Sequence, residues 1–239
     1  IARALEQCLG AEDSIRRETG LAAVEILLVD DGSRDKTREI AGRFNRVRVI
    51  SHPVNRGYGA ALMTGFSAAR GELLAFMDAD GTIDPLCFIS LHKELVRSGA
   101  DLAIGGRLHA GSQMPRVRVL GNRFYAAVIS WLTGVAVTDT ASGVRLFSRS
   151  LLPKLLPMPT GLHFTPAMTA RAACMGARIV ETDIPYAERV GQSKLSVVRD
   201  GLRYVRSIVW TALSYNPVRV LGALGLAGVG VAGLVGLGL

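Results

Sequence analysis

Cysteine is scarce and poorly placed for cross-linking. The 239-residue chain has three, Cys8, Cys87 and Cys174, widely spaced and without a CxxC pair. An odd, scattered set excludes a disulfide framework and reads as reduced thiols on a cytosolic face. The four histidines, His52, His92, His109 and His163, show no metal-ligand spacing. No charged segment followed by an apolar core opens the chain, so no secretory signal is read there; IARALEQCLG has the look of a helix. Zinc-finger and aromatic RNA-binding signatures are also missing. The surplus of base over acid, 28 Lys and Arg against 20 Asp and Glu for a net charge of +8, therefore does not indicate nucleic acid. Anionic lipid or a phosphorylated substrate is the better partner for it.

What the chain does have is apolar residues, 49% of the total, with a mean hydropathy of +0.29. They are unevenly spread. From Val220 to Leu239 no charged or strongly polar side chain occurs, a run of membrane-spanning length, about 20 residues. Arg199, Arg203, Arg206 and Arg219 precede it, where the positive-inside rule puts the cytoplasmic flank of a cell-membrane protein. Residues 196–213 are amphipathic: Val198, Leu202, Val205 and Val209 share one face and Arg199, Arg203 and Arg206 another. Tyr204 and Trp210 suit headgroup depth, so this segment is read as a helix in the membrane interface, with a helix packed on the domain core as the alternative. Asn216-Pro217 breaks the chain before the spanning run. Within that run Gly228, Ala232 and Gly236 form a small-residue stripe suited to packing on another membrane helix, of the same chain or of a second copy in a homo-oligomer. Three parts are expected: a catalytic domain over 1–195, an interface helix over 196–216 and a spanning segment over 217–239.

The first part alternates buried strands with helices. Helical spacing covers residues 1–18; VEILLVDD (24–31), RVRVIS (46–51), ELLAFMDADG (72–81) and DLAIGG (101–106) read as strands. Helices fit between them, over 55–71 after a Gly-rich turn and from Pro85 to about Arg97, with Ser33 or Asp35 as cap of an earlier one. Further helices are expected at 118–133 and 163–176 and a strand at 178–186. This alternation predicts a parallel, doubly wound α/β sheet. Such a sheet ordinarily opens on a strand, and this chain begins inside a helix, so a first strand is expected to be missing.

Two acidic motifs follow buried strands. Asp78-Ala79-Asp80 places two carboxylates two residues apart at a strand-to-loop break. Such a pair suits Mg²⁺ or Mn²⁺, hard cations that leave positions open for phosphates. Asp30-Asp31-Gly32-Ser33 offers carboxylates to a nucleobase or ribose, although a response-regulator acidic pocket would look similar.

VEILLVDDGSRDKT, NRGYGAAL, FMDADGTIDP, GADLAIGGR, DTASGVRLF and ERVGQSKLS together, in this order, resemble the family 2 glycosyltransferases of GT-A fold. The likeness is nearest to the branch of dolichol-phosphate mannosyltransferase and bacterial polyprenyl-phosphate glycosyltransferases. It covers residue 24 to about 195. The resemblance implies a Rossmann-like nucleotide-diphospho-sugar transferase that moves a sugar, with inversion, from a UDP- or GDP-sugar to a membrane lipid phosphate. It implies that Asp31, with Asp30 beside it, contacts the nucleobase, and that Asp78 and Asp80, flanking Ala79, bind the metal and diphosphate. Arg107 would lie near the donor, and Arg189, Ser193 and Lys194 in a loop closing over the phosphates. Asp139 matches the position described as a catalytic base; toward a phosphate acceptor, already ionised above its second pKa of about 6, it would orient more than deprotonate. Arg116, Arg118 and Arg123 are candidate contacts for an anionic acceptor. Two departures stand out. Thr82 occupies a position where the branch often has Gln, and the opening Pro-x-Tyr-Asn-Glu segment is absent. Transfer to a lipid hydroxyl or a growing polysaccharide, and a non-catalytic adaptor that binds nucleotide-sugar, are the rival readings; the Gln-x-x-Arg-Trp motif of processive synthases does not occur.

Overall fold

The computed structural model describes residues 1–109 and 114–187, together with short helical stretches between 205 and 233. Arg189, Ser193 and Lys194 lie outside the described residues, as does most of the 196–213 segment and of the apolar run from Val220. Among the described residues no helix is long and apolar enough to cross a membrane.

The chain folds as helix α1 (Ala2–Thr19), strand β1 (Ile26–Asp30), helix α2 (Thr37–Ala41), strand β2 (Val47–Ser51), helix α3 (Tyr58–Ala68) and strand β3 (Leu73–Phe76). It continues as α4 (Cys87–Ser98), β4 (Leu102–Gly106), α5 (Arg116–Thr133), β5 (Arg145–Ser148), α6 (Leu152–Leu155), α7 (Phe164–Cys174) and β6 (Ile179–Asp183). α1 ends where Gly20 turns left-handed at φ 72° and donates its N–H to the Arg16 carbonyl, with Arg16 and Arg17 placed against the negative end of the helix. The expected cap at Asp35 is an Asx turn: its Oδ1 accepts from the Thr37 N–H at 3.0 Å.

The expectation of one all-parallel sheet is corrected twice: among the described residues the strands form two sheets, and one strand is antiparallel. β1 and β2 form a parallel pair, and β4 pairs with β6 in parallel, but β5 runs antiparallel between β3 and β4. The four-stranded sheet has the order β3-β5-β4-β6. β5 has only four residues, RLFS, and opens on a charged one, Arg145, so its sequence lacks the longer apolar run that marks β1 and β4. It is a strand because both neighbours pair with it, Phe76 and Ile104 each opposite Arg145. β3 is also shorter than expected and stops at Phe76, leaving Met77–Asp80 as loop.

Helices cover both faces. α1 and α2 lie on the β1–β2 pair through Leu5, Ala41 and Val47. α4 covers one face of the larger sheet, its Leu91 and Leu95 meeting Ala103, Val144 and Leu146. On the other face Phe66 of α3 and Phe164 and Met168 of α7 enclose Leu74, Phe76, Leu102, Ile104 and Phe147. Phe66 meets Phe147 edge-on at 5.2 Å, a favoured aromatic geometry. The N-terminus of α3 is closed by a remote carbonyl: Thr160 O accepts from the N–H groups of Gly59 and Ala60 at 2.7 and 3.3 Å. That approach requires glycine, since a Cβ on residue 59 would sit 2.1 Å from the Pro159 carbonyl oxygen.

All three cysteines are unpaired, and burial pushes the Cys87 thiol up to about 12, far from thiolate chemistry.

Phe147 has no solvent exposure and centres this core. Phe147→Ala should therefore lower the unfolding free energy by about 3–5 kcal/mol, read from the denaturant midpoint, whereas Val54→Ser, at a site 66% exposed, should shift it by less than about 0.5 kcal/mol.

Candidate active site

The chemistry-bearing residues gather where β1, β3 and β4 end. Asp30 closes β1; it is buried, and its Oδ1 accepts from the Ser33 N–H at 3.0 Å, which shapes the turn. Asp31 faces the segment ahead of α3. Its Oδ1 accepts from the Arg56 N–H at 2.8 Å and lies 2.7 Å from His52 Nδ1, and its Oδ2 accepts from the Gly57 N–H at 2.8 Å. Burial works to raise the Asp31 pKa, but the His52 contact and the two amides outweigh it and hold the carboxyl below its ordinary value. His52 is buried, with Nε2 2.9 Å from the Thr64 hydroxyl. As placed, both oxygens of Asp31 tie β1 to the start of α3, so this pair of acids builds the turn.

The second acid pair sits in the loop after β3. Tyr58, the first residue of α3, donates its hydroxyl to Asp78 Oδ1 at 3.1 Å. Behind Asp78 stands Gly143, where any Cβ would come within 2.4 Å of Asp78 Oδ2. Residue 143 must therefore be glycine for this carboxylate to hold its place. Ala79 is exposed between the two acids. Asp80 Oδ1 accepts from the Thr82 N–H at 3.2 Å and its hydroxyl at 2.6 Å. Thr82, itself buried, thus orients an acid. Among the described residues no three His, Cys, Asp or Glu side chains gather to hold a metal. Two carboxylates fit Mg²⁺ or Mn²⁺ all the same, because such ions are commonly held by one or two protein carboxylates together with substrate phosphates and water.

At the end of β4 a buried ion pair forms. Arg107 donates from its backbone N–H and Nε to Asp139 Oδ2 at 3.0 and 2.8 Å, and from Nη2 to Oδ1 at 2.9 Å. Its guanidinium also lies over the Tyr186 ring at 5.6 Å. Asp139 has no solvent exposure, and Asn122 of α5 donates to its Oδ1 in a short hydrogen bond. Glu181 of β6 accepts from the backbone N–H groups of Thr138 and Asp139. Burial alone would raise the Asp139 pKa; the Arg107 charge, its hydrogen bonds and Asn122 reverse that and hold it low. Arg107 is held high despite burial, by Asp139 first, then Tyr186 and Asp78. A carboxylate closed from solvent, held anionic and engaged on both oxygens stands here as the counter-ion of Arg107.

The candidate acceptor contacts divide. Arg118 stands one turn ahead of Asn122 on the same side of α5, whereas Arg116 and Arg123 are exposed.

Sequence reasoning did not find Arg145. It is fully buried, with Nε donating to Ser142 O at 3.2 Å and Nη2 to Thr140 O at 2.7 Å. Among the described residues its Nη1 has no hydrogen-bond partner. Desolvation pushes it down to about 10, against the attraction of Tyr58 and Asp139, so it remains a cation at neutral pH. It clamps the turn that joins Asp139 to Gly143. Tyr58, Asn122 and Glu181 were missed as well. The one available signal was polar residues (Asn122, Glu181) inside otherwise apolar elements.

An α/β sandwich with a carboxylate pair beyond one strand and a buried arginine at the end of another is the architecture of a nucleotide-diphospho-sugar transferase. Residues 1–156 match the family described as Glycosyl transferase family 2, and the chain belongs to that family. It is 34% identical over 216 residues to the low-salt glycan biosynthesis hexosyltransferase Agl6 of Haloferax volcanii, covering 87% of this chain and 51% of that protein. It is equally 34% identical to the dolichyl-phosphate hexose transferase of the same organism, over 87% of this chain and 90% of the relative. The chain thus spans about half the length of the first relative and most of the second. Among solved structures, glucosyl-3-phosphoglycerate synthase from Mycobacterium tuberculosis superimposes with a TM-score of 0.63 at 20% identity, over 84% of this chain and 75% of that one. That likeness establishes the GT-A type of fold.

Two outcomes follow from this geometry. Gly143→Ala should displace Asp78 and weaken Mn²⁺ binding, measured calorimetrically with nucleoside diphosphate present, by about 10- to 100-fold while circular dichroism stays unchanged. Asp31 and Asp139 have lowered pKa values in the fold, so their contribution is complete above the unfolded carboxyl pKa of about 3.9 and disappears as pH falls through the lower folded values. Asp139→Asn should consequently lower the thermal midpoint at pH 7 and flatten its dependence on pH below about 4.

Proposed function

We propose that this protein is a metal-dependent, inverting glycosyltransferase that moves a sugar from a nucleotide-sugar to a polyprenyl- or dolichyl-type lipid phosphate at a membrane surface. The observation that carries the proposal is the placement of Asp78 in the loop after β3: its Oδ1 accepts from the Tyr58 hydroxyl, and its carboxylate occupies the space that Gly143, having no side chain, leaves open. The printed activity of the dolichyl-phosphate hexose transferase, which this chain matches over most of its length, supports the acceptor class. The Mn²⁺ and UDP-glucose named for the structural neighbour support a divalent ion and a nucleotide-sugar.

In this reading Asp78 and Asp80 hold Mg²⁺ or Mn²⁺, which when bound neutralises charge on the departing diphosphate. An oxygen of the acceptor phosphate attacks the anomeric carbon. The bond from that carbon to the nucleoside diphosphate breaks, its electron pair leaving on the phosphate oxygen. No proton has to be removed, because the acceptor phosphate is a dianion above its second pKa of about 6. Asp139 accordingly serves by fixing Arg107, whose cation faces the developing negative charge. Asp30 and Asp31 support the donor by building the turn at the end of β1, and Arg189, Ser193 and Lys194 are suited to close over the phosphates. Arg118, on the side of α5 that meets Asp139, is the better placed of the three candidate acceptor contacts. The amphipathic 196–213 segment and the run from Val220 to Leu239 are proposed to attach this domain to the cytoplasmic face of the cell membrane.

Transfer of labelled sugar to polyprenyl phosphate in Mn²⁺ or Mg²⁺ provides the test. Asp78→Asn and Asp80→Asn should each cut the rate by about a thousandfold, equivalent to several kcal/mol of charge stabilisation, and a chelator should do the same to the wild type. The rate should rise through pH about 6 with ionisation of the acceptor and level off above it. Comparable transfer to an unphosphorylated polyprenol would defeat the proposal.

A further inference from the structure

Asp31 and Asp78 follow different strands, yet the short segment from Arg56 to Tyr58 joins them. Asp31 grips that segment by its backbone: Oδ1 accepts from the Arg56 N–H and Oδ2 from the Gly57 N–H, each at 2.8 Å. The next residue is Tyr58, whose hydroxyl donates to Asp78 Oδ1 at 3.1 Å. One acid therefore holds the backbone from which the other acid is oriented.

The bridge is braced on every side. His52 joins Asp31 to α3 a second time, with Nδ1 2.7 Å from Asp31 Oδ1 and Nε2 2.9 Å from the Thr64 hydroxyl. From the opposite direction the Thr160 carbonyl accepts from the Gly59 N–H at 2.7 Å. The Tyr58 ring packs against the cluster that contains Phe66, Phe76 and Phe164. With the main chain gripped and the ring packed, the position of the hydroxyl follows from the backbone that Asp31 holds. Asp31 itself has little left to offer a ligand. A carboxylate has about four acceptor sites, and Arg56, Gly57 and His52 take three of them, on a side chain only 16% exposed.

We infer that Asp31 is a positioning residue for Asp78, acting through the Gly57–Tyr58 backbone and the Tyr58 hydroxyl. This deepens the proposed function and rests on it for the metal at Asp78 and Asp80. The acid after β1 then serves the diphosphate end of the donor through the fold, without touching the base.

The test is calorimetric titration of the full chain with Mn²⁺–pyrophosphate, a probe that has no base. Asp31→Asn turns an NH2 group toward one of the two amides, donor against donor, and so releases the segment. It should weaken binding of the probe about tenfold, and Tyr58→Phe should do the same, as expected of residues behind a metal ligand. The double variant should lose about tenfold as well, where independent sites would lose about a hundredfold. In transfer assays excess Mn²⁺ should recover most of the rate of either single variant, so that the loss falls on the KM for Mn²⁺ more than on kcat. A general loosening of the fold would not be rescued by metal. Tyr58→Phe keeps the ring in its packing, so wild-type affinity for the probe in that variant overturns the inference even if Asp31→Asn fails to fold. Additive losses in the double variant overturn it too. A loss in Asp31→Asn seen with Mn²⁺ and UDP or GDP, but not with Mn²⁺–pyrophosphate, overturns it and makes Asp31 a contact of the base. A wild-type protein that binds Mn²⁺ with none of the three overturns the proposed metal site and the inference with it.

Discussion

The buried pair of Arg107 and Asp139 is the contact on which the rest of the site depends. Few charges in the chain are so enclosed: Asp139 has no exposed surface and the Arg107 side chain retains 13%. Breaking such a pair by deleting one partner strands a charge away from water, at a cost of about 3–5 kcal/mol. What makes the pair tolerable is its saturation. Asp139 accepts three hydrogen bonds from Arg107 and one from Asn122, and Glu181 braces its backbone. The partners come from the end of β4, from α5 and from β6, so one residue, through its carboxylate and its backbone N–H, joins three elements that share no local sequence.

The consequences reach Asp78, in the loop after β3, through the turn after Asp139. Ser142 donates its hydroxyl to the Gly105 carbonyl at 2.6 Å, and Arg145 holds the carbonyls of Thr140 and Ser142 from beneath. Gly143 is thereby pressed against Asp78. Arg145 is an expensive way to hold a turn, since a buried guanidinium nitrogen without a partner forfeits hydrogen bonding it had in water. Arg107 and Arg145 oppose each other electrostatically, and Asp139 is the charge that lets both stay.

Much of this was legible in the sequence, and the limit falls along a physical line. The strands at Ile26–Asp30 and Leu102–Gly106, and the helices at Cys87–Ser98 and Phe164–Cys174, follow from local apolar patterning and appear within a few residues of expectation, although only the second strand is buried throughout. The acid pair at Asp78 and Asp80 was equally plain. β5 was not, because a four-residue segment that opens on Arg145 has no apolar run and only non-local pairing makes it a strand. Nor does spacing show that Asp139 is sealed from water or that Asp31 turns inward onto the Arg56 and Gly57 amides. The three arginines of α5 looked like one basic segment, and their division between the two sides of the helix depends on which face the core claims.

That division gives α5 a dual role. The core takes the side with Asn122, Ala126 and Ile129 because the alanine lets α7 approach and Asn122 satisfies a buried carboxylate. The opposite side carries Val117, Leu120 and Phe124 at exposed positions, so the helix that holds Asp139 through Asn122 also turns apolar surface outward. One rigid element thereby links the counter-ion pair to the surface of the domain.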